Sequence, residues 1–148
     1  MTRGPQSTEQ MFRTVLGRHP EVLAALTDAH EVAWSVVDAD LLDLCRVHIA
    51  ALLGHDAGLE APCLDAELLA ELPGWFTSPR FSAAQRACLA FTEQFTIDAA
   101  SIDDDLVAAV AAELGPDGLV NFVNALLVVE QRQRLHLIWS RLLAQVAS

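Results

Sequence analysis

No lysine and no tyrosine occur in the 148 residues, and nine arginines stand against twenty aspartates and glutamates, a formal net charge of −11. Phosphate backbones are bound by clustered Lys and Arg. The Arg here are few and scattered, which argues against a nucleic-acid partner. The acidic balance implies solubility and names no partner. There are three cysteines, Cys45, Cys63 and Cys88, an odd number at spacings that match no zinc or redox pattern. With no Cys-x-x-Cys pair, dithiol redox chemistry of the usual kind is not expected. Period-2 alternation and β-branched runs are lacking too, so nothing points to a sheet. The longest apolar stretch, Leu119 to Val129, is interrupted by Asn121 and Asn124. It falls far short of the roughly 20 residues that span a bilayer. The N-terminus lacks the order of a signal peptide, and a reducing cytoplasm is the expected setting.

What is present is helix-forming. Alanine and leucine dominate, and the seven glycines and six prolines sit at segment edges. The chain has the size of one domain, 1–148, with 1–7 as a loose leader. A short helix is expected after Thr8, and Pro20 suits the first turn of a second, Glu21 to about Trp34. Asp38 or Asp40 can cap a third, running through Leu41–Leu53 to Gly54. That segment is apolar on nearly every side, with Asp43 and Arg46 its charges, so it belongs at the centre of the fold or between subunits. Turn residues fill Gly54 to Pro62. A short helix then fits Asp65–Leu72, closed by Pro73-Gly74, and Ser82 precedes an amphipathic one, Ala83–Thr96. Ser101 with Asp104 resembles a capping box ahead of Leu106–Leu114. Gly115-Pro-Asp-Gly118 reads as a turn, and a last helix follows from about Leu119 to Gln145. The fold class is all-α, with six or seven helices.

Three stretches taken together resemble the carboxymuconolactone decarboxylase and alkylhydroperoxidase-D-like (AhpD-like) family. They are the Gly-ended helix Leu41–Gly54, the segment from Phe81 to Thr96, and Ile102 to Arg134, in which a capped helix and a Gly/Pro/Asp turn lead into a long apolar helix. The resemblance covers roughly residues 35–135 and implies an AhpD-like helical domain that forms trimers, hexamers or related rings. Peroxidase members of that family carry a Glu, eleven residues, Cys, two residues, Cys, three residues, His. Laying that glutamate on Asp43 puts His55, Gly58 and Pro62 at the other three positions. Only the carboxylate survives, as Asp. Dithiol peroxide reduction needs a nucleophilic and a resolving thiol, so peroxidase activity is not implied here.

Asp43 and His55 are the sharpest candidate pair, since a carboxylate that orients an imidazole makes a general base near neutral pH. Twelve residues on one helix put them about 120° apart, so they meet only if the helix breaks at Gly54. The competing reading pairs Asp43 with Arg46 and leaves His55 in a solvated loop. His48, on an apolar side, reads as a hydrogen-bonded core residue. Cys45 and Cys88 read as core hydrophobes, and Cys63, beside Pro62, as the exposed thiol. Cys45 with His48 gives two potential ligands, which is no metal site. Neither metal nor cofactor is expected. Asn121, Asn124, Val128, Arg132 and Trp139 form a stripe facing a subunit, a polar network or a pocket. Glu130 and Arg134 are spaced as an ion pair, and Trp34, Trp75 and Phe76 are candidate cavity walls. Two functions follow: a cofactor-independent acid/base enzyme on a small organic acid or lactone, with Asp43 and His55 as its groups, or a non-catalytic ligand-binding or assembly protein that keeps the fold alone. Both expect self-association and neither a membrane.

Overall fold

A computed structural model describes residues 8–55 and 64–146. Among them six α-helices and no strand are present: α1 (Thr8–Leu16), α2 (Pro20–Val36), α3 (Ala39–Leu52), α4 (Ala66–Glu71), α5 (Ala83–Ile97) and α6 (Asp104–Val146). The all-α expectation holds. Leader residues 1–7 and the cysteine-bearing stretch 56–63 lie outside the described residues.

Local chemistry sets most boundaries. Asp38 caps α3 by accepting the Leu41 amide at 2.9 Å, and Asp65 caps α4 through Glu67. Ser82 and Gln85 form a reciprocal capping box at the start of α5. At α6 the cap is Asp103, which accepts the Leu106 amide at 2.9 Å. Ser101 instead sits in a 3₁₀ turn and bonds Asp98. That differs from the expected Ser101–Asp104 box, because the aspartate adjoining the helix reaches the open amide first.

Gly115 ends the first helical segment of α6, as expected. Its backbone (φ 76°, ψ 170°) is non-helical, and Pro116 directly restarts the helix. Proline is suited to a first helical position, so the expected four-residue turn is a one-residue break. By length and composition α6 is apolar enough to cross a membrane, although this break divides it.

The two faces of α3 explain why it is apolar almost all round. Leu41, Leu42, Cys45 and Ile49 pack with Cys88 and Phe91 of α5 and with Phe122, Ala125, Leu126 and Val129 of α6. Leu44, on the other side, joins Leu72, Trp75, Phe81 and Leu89 in a second cluster. Fully burying one such side chain is worth about 1.5–3 kcal/mol. Helix α6 touches α1, α2, α3 and α5. Its buried residues after the break, Phe122, Ala125, Leu126, Val129, Glu130, Gln133 and His136, keep helical spacing. The row turns from apolar to polar at Glu130. That switch places a polar seam beside α3.

Candidate functional site

The seam starts on α3 with Asp43 and Arg46, one turn apart and buried. Arg46 Nε donates to Asp43 Oδ1 at 2.7 Å, both side chains less than a tenth exposed. Buried ions are tolerated only when paired and hydrogen-bonded. From α6, Gln133 Nε2 donates to the Arg46 carbonyl at 2.8 Å, locking the two helices in register at this level.

One level further along, the end of α3 brings in His55. Gly54 adopts φ +65°, its amide bonds to the Ala51 carbonyl, and the His55 amide reaches back to Ala50 at 2.8 Å. These two bonds are a Schellman motif, which satisfies the last carbonyls by reversing the chain at a left-handed glycine. The reversal sets the half-buried His55 ring against the buried His136 of α6, centroids 5.1 Å apart and planes tilted by 49°. The two residues of the expected pair each have their own neighbour. Asp43 is bonded to Arg46 and His55 lies against His136. His136 was not singled out from the sequence. Its only signal was three-residue spacing from Gln133 on a helix already known to be long.

A second polar cluster joins the other face of α3 to α5. His48 is buried, and its Nε2 lies 2.8 Å from Glu93 Oε1. The Trp75 indole N–H donates to the same oxygen at 3.0 Å. An oxygen that accepts from both groups fixes the proton of the imidazole on Nε2. His48 is therefore the hydrogen-bonded core residue expected, and Trp75 packs in the second cluster rather than lining a cavity. Glu93 was overlooked, since 45 residues separate it from His48.

The expected stripe on α6 divides. Asn121 and Asn124 are exposed, so neither is a buried amide needing a partner. Arg132 stacks over Phe12 at 4.6 Å and Trp139 meets the same ring edge-on at 5.0 Å, clamping α1 to α6. The Glu130–Arg134 pair forms, with Arg134 also donating to the Thr96 carbonyl at 2.9 Å. A cleft of about 290 Å³, counting the part open to solvent, lies among α1, α2 and α6, with His30, Gln131 and Arg132 in its wall.

Neither described thiol is poised for nucleophilic chemistry. Burial pushes Cys45 from the usual 9.0 up to about 12, opposed in part by a weak hydrogen bond with Thr92, whose hydroxyl has no oxygen or nitrogen partner. Burial raises Cys88 further, with the nearby charges of Cys45 and Glu113 adding to it. Both remain thiols at neutral pH. Among the described residues no group of three or more His, Cys, Asp or Glu is placed to hold a metal ion. Comparison with family models, with curated proteins and with solved structures gives no match.

Proposed function

We propose that this is a carboxymuconolactone decarboxylase-like protein without the peroxidase dithiol, a cofactor-independent acid/base enzyme acting on a small organic acid or lactone at the α3–α6 seam. The observation that supports it is the reversal at Gly54, which turns His55 back onto His136 of α6, the helix whose Gln133 bonds the Arg46 carbonyl next to the buried Asp43–Arg46 pair. In this reading His55 moves the proton and Asp43 is the carboxylate of the acid/base pair. Arg46 orients Asp43. His136 holds the ring of His55 in place.

The test is a panel of small carboxylated lactones and their hydroxy acids, followed by proton NMR for ring opening and loss of carbon dioxide. His55→Ala abolishes turnover and leaves the fold intact, since a half-buried histidine beyond the end of α3 belongs to neither apolar cluster. Asp43→Asn weakens turnover less completely. A parent protein silent across the panel, or a His55→Ala variant with full activity, overturns the acid/base reading.

The second reading, a non-catalytic assembly protein, is favoured by a different observation. Val120, Leu127, Ile138 and Leu142 are each more than half exposed and recur along one side of α6. Exposed apolar rows of this kind are commonly covered by a partner. In this reading the partner is a second copy, in a trimer or hexamer within the cytoplasm. Light scattering at micromolar concentration decides it, a monomer mass being the adverse result.

A further inference from the structure

Glu93 uses one carboxylate oxygen within the fold, and among the described residues no hydrogen bond to its Oε2 is formed. Its Oε1 accepts from the Trp75 indole at 3.0 Å and from His48 at 2.8 Å. Its side chain is 38 % exposed, and among the described residues no arginine pairs with it. The nearest cation on the same face of α5, Arg86, is spent on backbone carbonyls. Arg86 Nε donates to Phe81 at 3.1 Å, and its two terminal nitrogens donate to Trp75, Phe76 and Ser78. Those bonds fix the turn that carries two aromatic rings. Trp75 is buried beneath, and Phe76 stands edge-on to it at 6.1 Å with 65 % of its surface exposed. Trp75 thus links the two, bonding the carboxylate through its indole N–H and meeting the exposed Phe76 ring of the same turn. The chain has no lysine to complete this arrangement.

We propose that Glu93 and Phe76 bind a protonated primary amine carried on a short apolar stem. The ammonium donates to Glu93 Oε2, a charge-assisted bond of the stronger kind. The stem crosses the Trp75 edge and lies on the Phe76 face. A compact ammonium on a four-carbon stem has three donors and an apolar body, the shape that this spacing accepts. Trp75 and His48 are positioning residues, since each holds Oε1 and leaves Oε2 to the ammonium. The net charge of −11 further raises the local concentration of cations.

The test follows the Trp75 indole N–H by ¹⁵N–¹H NMR, assigned through Trp75→Phe, during titration with n-butylammonium chloride. A saturable shift is expected that equal concentrations of n-butanol or sodium chloride do not produce. Glu93→Gln keeps an oxygen for His48 and Trp75 but removes the charge, and it weakens binding by about tenfold or more. Phe76→Ala, at an exposed position that does not threaten folding, removes the advantage of butylammonium over methylammonium. Tighter binding of N-acetyl-lysine amide than of butylammonium assigns the ammonium to a partner's side chain, and the reverse order assigns it to a free amine. A shift that never saturates, that butanol reproduces, or that persists unchanged in Glu93→Gln overturns the proposal.

Discussion

The sharpest link between backbone and site is Gly54, and replacing it tests that link. Its φ of +65° lies in the left-handed region, and a Cβ added there would meet nothing within 4 Å. The penalty of Gly54→Ala is therefore conformational and not a clash. An L-residue in that region costs about 1–2 kcal/mol. In a domain of this size that lowers the melting temperature by roughly 2–4 °C for each kcal/mol. Asparagine tolerates the same conformation through its local hydrogen bonds, so Gly54→Asn should recover most of the loss although its side chain is larger. Thermal unfolding by circular dichroism reads both variants, and NMR of the His55 and His136 ring protons reports whether their contact survives. The reversal is what sets those rings together, so a chain that continues helically past Leu53 loses the contact. Equal stability of Gly54→Ala and the parent refutes the reasoning, and so does an Asn variant no better than the Ala variant.

Other perturbations test the remaining elements. Gly115→Ala meets open space too, yet φ 76° with ψ 170° is accessible almost only to glycine. It should cost about 1–3 kcal/mol by urea denaturation, with no rescue by asparagine. Asp43→Asn breaks the buried Asp43–Arg46 ion pair and should destabilise by about 3–5 kcal/mol, whereas replacing both with apolar residues restores much of it. Cys45 and Cys88 should resist Ellman's reagent in the native protein at pH 8 and react at the ordinary rate once it is unfolded. Because the folded state holds the Cys45 proton up to about 12 against an ordinary 9.0, the unfolded state releases it first. Stability from this group is complete below pH 9 and falls as pH rises towards 12. A Cys45→Ala variant should show a flatter alkaline limb.

What could be read in advance was local. Asp38 before an apolar run, Ser82 ahead of Ala83 and Gly54 after Leu53 each satisfy helix ends with atoms a few residues away, and each marks a boundary that the structure has. The Asp43–Arg46 and Glu130–Arg134 pairs are one turn apart and were legible for the same reason. Contacts across helices were not. Glu93 meets His48, Gln133 meets the Arg46 carbonyl and His55 meets His136 only because α3, α5 and α6 pack in a given rotation, and helical periodicity leaves that rotation open. At Gly115 the residues announced an interruption correctly. Their order hid that a proline restarts the helix at once.

The helix that touches α1, α2, α3 and α5 is also synthesised after all four of them. While residues up to 103 emerge, α3 and α5 can pair, but α2 has little to rest on and the apolar face of Phe91 and Leu42 stays open to water. The seam cannot exist until Gln133 and His136 have left the ribosome. Vectorial synthesis thus makes a late, concerted closure out of what would be stepwise assembly from the other end. A nascent chain stalled before α6 is expected to hold paired α3 and α5 and a sticky open flank, which is the form a holdase would recognise.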